Sequence, residues 1–430
     1  MPKPFTNLLL ACCLLSIPVL FGACIKDDCE GVQKFRYYSP VFKLKSEIRA
    51  SIRSGEPTDV IRPGKIYLYG KYMFLNDIDR GIHVFDNSNP SSPRNIAWID
   101  IPGNMDMAIK GNTLYADLYS ELVSIDITDP TNVKLLGFEE NLFPERYWAA
   151  ALIAGHEGQA VVDWTSVDTV MKVDCRVERD DDMIVFMDAG FVASSFSNNS
   201  SQSASVSPHG IGGSMARFTI AKDWLYTVMS TSLKSVDISN PSNPRPSNSI
   251  SLGWGAETIY PFRDELFIGT QTGMFRYDIS NPSLPVKAGS FAHVRSCDPV
   301  VADDDHAFVT LRSGNACQGF VNQLDVIGLN NVLPGNELPL LATHQMVNPH
   351  GLGIDGDLLF ICDGEAGLKV FNASNVNSLV QLSVTGMDAY DVILYDKRAI
   401  VIAKDGLYQF SYSAAGSLQQ LSRIPITVTK

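Results

Sequence analysis

The chain has 430 residues, 47 acidic against 34 basic side chains, and a net charge of −13 at neutral pH. That balance argues against nucleic acid or an anionic bilayer surface as partner, while 45% apolar and 19% charged residues describe a well-packed globular chain. The length would suit two or three ordinary domains, a prior that all-β repeat folds readily break.

Residues 1–23 read as a signal peptide. One cation, Lys3, precedes a mostly apolar run from Leu8 to Phe21 that is short and broken by Pro18, too little to span a bilayer. The run ends at Gly22-Ala23-Cys24, which resembles a lipobox, with Phe21 standing where Leu is usual. The resemblance implies a lipid on Cys24, and each buried methylene of such an anchor contributes about 0.8 kcal/mol. Ile25-Lys26-Asp27-Asp28 resembles the signal that sends some Gram-negative lipoproteins to the outer face of the outer membrane; a solvated linker is the other reading. The expectation is a surface-exposed outer-membrane lipoprotein, held at the cell envelope by its lipid. Removing 23 of 430 residues leaves 407, and since Lys3 is the only charge removed the balance shifts from −13 to −14.

Residues 24–62 are expected to be a lipid-anchored linker with a short helix, because Leu44, Ile48 and Ile52 fall at helical spacing. That helix would pack on the following domain, as core filling or as a lid.

From residue 63 to 430 one pattern recurs. Gly81-Ile-His-Val-Phe-Asp-Asn-Ser-Asn-Pro90, Leu122-Val-Ser-Ile-Asp-Ile-Thr-Asp-Pro130, Leu233-Lys-Ser-Val-Asp-Ile-Ser-Asn-Pro241 and Gly273-Met-Phe-Arg-Tyr-Asp-Ile-Ser-Asn-Pro282 are clear copies. Each reads as a strand with one apolar face, closed by an Asx-type turn and a proline that ends the ladder. Weaker copies lie at 324–327, 367–372 and 406–411, and an eroded one at 170–174. Two strands joined by a tight polar turn precede each copy, as in Met107–Tyr115 and Leu352–Phe360, and a fourth strand follows. Four short antiparallel strands per unit, repeated radially, make an all-β fold: a single β-propeller of eight blades, or seven if the eroded third unit is an insertion. The serine-rich stretch 192–213 is expected to be a polar surface loop.

The strand-plus-turn unit resembles the LVIVD repeat of bacterial surface and extracellular proteins, over roughly residues 63–425. Gly212-Gly-Ser-Met-Ala-Arg-Phe218, His293-Val-Arg-Ser-Cys-Asp-Pro-Val300 and Asn348-Pro-His-Gly-Leu-Gly-Ile354 look like strings of LVIVD-repeat lipoproteins. The resemblance implies a propeller in the cell envelope and no particular reaction.

With Cys12, Cys13 and Cys24 accounted for, five cysteines remain, an odd number in an oxidising compartment. Cys297 and Cys317 flank one hairpin, and a disulfide between them would close a loop of about 20 residues, contributing on the order of 3 kcal/mol. Cys362 is expected in a blade core, and Cys175 to stay free or pair with Cys29. No spacing suits a zinc site.

No Gly-x-Ser-x-Gly elbow, P-loop, dinucleotide fingerprint or His-Glu-x-x-His helix is present. Aligning the units does place polar residues at or just before the first strand of most blades: Asp106, Arg217, Glu257, Asp298, His350 and Asp391, with Tyr390 beside the last. In a propeller these would converge on one channel mouth. They could pair with one another and with channel water, bind a small ligand, a zwitterion before bare calcium, or do acid–base chemistry. The preferred reading is a monomeric, non-enzymatic binding or scaffolding module with an unknown protein or small-molecule partner. The rival is an extracellular hydrolase or lyase using His350 with Asp298, Asp391 or Glu257. An open funnel with His350 near a carboxylate would favour the enzyme.

Overall fold

The computed structural model describes residues 30–144, 156, 158–174, 214, 216–229, 231–294, 299–313 and 320–426. The signal peptide and Cys24, Cys29, Cys175, the loop 192–213, Asp298 and the Cys297/Cys317 pair lie outside the described residues. The chain divides into two compact units, residues 1–41 with 163–189 and residues 42–162 with 190–430. Strands Glu30–Leu44 and Gln159–Asp174 pair with each other in a two-stranded sheet.

The larger unit is a β-propeller of seven four-stranded blades, each an antiparallel meander in chain order. Their first strands are Pro63–Tyr69, Met107–Lys110, Phe218–Ala221, Ala256–Phe262, Val300–Ala302, Leu352–Asp355 and Ala389–Tyr395, and these pack against one another as the inner wall. Fourth strands such as Arg245–Ser251 and Leu340–Gln345 alternate toward solvent, whereas second strands such as Thr113–Leu118 are buried throughout. Seven of the eight repeat copies become third strands. The eroded copy at 170–174 lies in Gln159–Asp174 instead, so the blade count is seven rather than eight.

The repeat's Asp-x-Ser-Asn-Pro tail works as two consecutive Asx turns. Asp86 Oδ1 accepts the Ser88 N–H at 3.0 Å and its hydroxyl at 2.6 Å, and Asn89 Oδ1 accepts the Ser91 N–H at 3.1 Å. Asp126 and Asp129, Asp237 and Asn240, and Asn372 and Asn375 repeat the pair. The proline sits second in a turn closed by Ser92 N–H to Asn89 O at 2.9 Å, where its fixed φ fits. In all seven blades the third and fourth strands pair with a register shift, the bulge that increases local twist. The repeat's leading glycine follows from close packing: at Gly367, φ +93°, a Cβ would collide with the Thr385 carbonyl just past the end of the fourth strand.

A helix, Lys45–Ala50, does form, with Ile48 buried in the core shared with blade 2. Arg49 holds Glu121 with two bonds of 2.7 Å, also reaches Glu140, and lies 3.6 Å over the Phe138 ring. The helix ion pairs thus go to blade 2. Beyond it, Arg53–Gly55 adds a fifth strand outside Arg94–Asp100.

Blade 1 is built wholly from the start of this unit and blade 7 from its end, so side chains close the ring. Leu68, Met73 and Phe85 pack with Ile393, Ile400 and Leu407. Asn87 and Gln409, both buried, exchange amide hydrogen bonds of 3.0 and 2.8 Å. Asn87→Ala strands the Gln409 amide and should cost about 2 kcal/mol in urea unfolding; a loss below about 0.5 kcal/mol would mean that the apolar seam alone closes the ring.

Candidate functional site

Topology brings the starts of the first strands and the ends of the second strands to one end of the ring. Asp106 and Arg217 directly precede their first strands, His350 lies two residues ahead of its own, and Glu257, Tyr390 and Asp391 fall within the first three residues of theirs. Two further cations join them: Lys65 from blade 1, and Arg312, which follows the second strand of blade 5. Pairing of first with second strand skips at three of these positions, from Pro63 to Ile66, from Ala256 to Thr258 and from Ala389 to Asp391. The bulged residues include Lys65, Glu257 and Tyr390, and a bulge re-aims the side chain that it releases.

The carboxylates are held from beneath. Asp106, 2% exposed, accepts the N–H groups of Met107 at 2.7 Å, Arg217 at 2.5 Å and Phe218 at 3.3 Å, tying blade 2 to blade 3. Burial nevertheless pushes its pKa up against the pull of Lys65. Glu257 accepts from Gln271 at 2.9 Å and is also raised by burial. Asp391 is fully buried, and neither oxygen has a hydrogen-bond partner of ordinary geometry. Burial raises it well above the carboxylate range, offset only in part by Lys65 and the Val392 N–H. Lys65 comes down to about 8, burial and Arg217 outweighing the nearby carboxylates.

His350 is 4% exposed and packs beside Tyr390, the ring centroids 5.0 Å apart and the planes inclined by 57°. Arg312 Nη1 lies 3.0 Å from its Nδ1 and 3.1 Å from its Nε2. Burial first, then the guanidinium, push its pKa down to about 3. It is therefore neutral at physiological pH, and among the described residues no carboxylate hydrogen-bonds the ring.

The loops leading into the first strands are fixed by carboxylates that the sequence reading missed. Asp77 accepts the Ile61 and Arg62 N–H groups at 3.0 and 2.9 Å. Asp117 accepts those of Met105 and Asp106 at 2.8 and 2.9 Å and the Asn104 amide at 2.9 Å. Asp363 accepts those of Val347 and Asn348 and the Lys369 ammonium. The recurrence of Asp at or just after the end of a second strand was the available signal.

Of the seven expected site residues, the structure brings Asp106, Arg217, Glu257, His350, Tyr390 and Asp391 to one end of the ring; Asp298 lies outside the described residues. Lys65 escaped notice because Pro63 obscures its strand, and Arg312 because it follows a second strand rather than preceding a first. Cys362 is buried in blade 6 as a free thiol. Among the described residues no group of His, Cys, Asp or Glu converges to hold a metal ion.

Residues 64–97, 103–138, 212–250 and 266–293 match the LVIVD repeat. No curated protein matches the chain. Among solved structures, the periplasmic gluconolactonase of Pseudomonas aeruginosa is similar at 11% identity and TM-score 0.50, covering 87% of this chain and 96% of that one. A Lactobacillus plantarum protein is similar at 10% identity and TM-score 0.51, covering 85% and 97%. At such identity the likeness shows the propeller fold alone.

Proposed function

We propose that this propeller, which carries LVIVD repeats, is held on the bacterial cell envelope through a lipid on Cys24 and works there as a non-enzymatic binding module. The observation that carries the second half is His350. A general base at neutral pH needs a pKa near the working pH and a partner that orients it; His350 instead sits against Arg312 with its pKa near 3. Buried Asp106 serves the fold by joining two blades. What remains accessible is a set of polar side chains suited to holding a ligand.

Anchoring is tested by fractionating cells that express the full chain. The wild type should sediment with the outer membrane and be degraded when intact cells are treated with protease; Cys24→Ala should leave the membrane fraction. A Cys24→Ala protein that stays with the membrane would refute the anchor, and protection of the wild type in intact cells would refute surface display.

A further inference from the structure

The ionisable groups at the funnel end sort by accessibility. Asp106, His350 and Asp391 are buried, whereas Lys65, Arg217, Glu257, Arg312 and Tyr390 are partly accessible. Among the described residues this partly accessible set holds three cations and one carboxylate, and beside it Asp388, which accepts the Tyr390 hydroxyl at 3.1 Å and pairs with Lys404 at 3.2 Å, adds one charge of each sign, in a chain whose overall charge is −13. An excess of one sign of charge around a channel mouth concentrates ions of the other. The same end carries exposed apolar side chains. Trp254, 68% exposed, stands three residues ahead of Glu257 between Gly253 and Gly255, whose φ values of +80° and +92° turn the loop. Val347, 59% exposed, stands three residues ahead of His350, its backbone fixed by Asp363 at 3.0 Å. Exposed large apolar groups beside a polar concavity mark binding sites.

We propose that the funnel binds a small organic acid, its carboxylate among Lys65, Arg217 and Arg312 and its apolar part against Trp254 and Val347. Guanidinium groups suit a carboxylate because their donors match it in pairs. Glu257 sets an upper limit on ligand charge, so a monoanion fits better than a dianion. This inference rests on the reading of the funnel as a binding site.

Calorimetric titration of the full mature protein with sodium hexanoate, sodium acetate and hexylammonium chloride tests it. Hexanoate should bind saturably, acetate roughly tenfold more weakly for want of apolar burial, and hexylammonium not at all. Arg217→Gln and Arg312→Gln should each weaken hexanoate about tenfold or more, and Trp254→Ala should weaken hexanoate while leaving acetate unchanged. Near-UV circular dichroism checks the fold of each variant; should an arginine variant fail to fold, Trp254→Ala on its exposed loop carries the test. Equal binding of hexanoate and hexylammonium, or folded arginine variants that bind as the wild type does, would overturn the proposal. Proton NMR of the same samples separates the two readings. Hexanoate bound but chemically altered would overturn the non-enzymatic reading and leave the site standing, whereas no binding of any acid overturns the site and leaves the anchored module to the fractionation experiment.

Discussion

Asp117→Ala is expected to lower the unfolding free energy by about 3 to 4 kcal/mol. Asp117 is 1% exposed and takes three donors, the N–H groups of Met105 and Asp106 and the Asn104 amide. Alanine leaves those donors without their charged acceptor in a place that water cannot easily enter, and each bond to a buried charge is worth about 1.5 to 3 kcal/mol before relaxation. The same loop delivers Asp106 to blade 3, so the damage spreads to the joint between blades. Urea unfolding of the two proteins measures the difference. A loss under about 1 kcal/mol would show that Asn104 or water replaces the carboxylate, and that the loop is not fixed in the way described.

Acid should destabilise the wild type through His350, and His350→Gln should flatten the response. The folded-state pKa is lowered from 6.5 to about 3, so the unfolded chain binds the proton more readily. The stability at stake is fully present above about pH 6.5 and is lost as pH falls toward 3. At about 1.4 kcal/mol per unit, the wild type should lose on the order of 3 kcal/mol more than His350→Gln between pH 7 and pH 4. Asp106 and Asp391, buried, and Glu257, half-buried, are raised by loss of solvent. They act in the opposite sense, their contribution being present at low pH and lost as pH rises, so they do not mimic the effect. Parallel pH profiles for the two proteins would mean that the ring is protonated in the fold, and would reopen it as an acid–base group.

The repeat was legible because it is written in turn chemistry. Asp86, Ser88, Asn89 and Pro90 each have one job in a double Asx turn, and copies of that string set the strand count on either side. The eroded copy left the count open between eight and seven: Val170–Asp174 keeps the apolar alternation of a strand, and alternation alone cannot say which sheet a strand joins. Helix formation near Ile48 followed from apolar spacing, but its hold on blade 2 depends on Arg49 meeting Glu121, 72 residues away, which no local pattern carries. The funnel was half visible. Residues that open first strands align by eye, whereas Arg312 arrives from a second strand and Lys65 is released by a bulge, and bulges leave little trace in a sequence. The unpartnered carboxyl of Asp391 could be found only from the packing around it.

The central claim is that the cation-lined funnel binds a ligand and does no chemistry on it, and a crystal structure of the mature chain soaked with hexanoate tests it most directly. The expected result is density for an intact acid, its carboxylate within hydrogen-bond distance of Arg217 or Arg312 and its tail toward Trp254, with His350 still against Arg312. An empty funnel whose arginines are all taken by protein carboxylates, or His350 turned away from Arg312 onto a carboxylate, would contradict it.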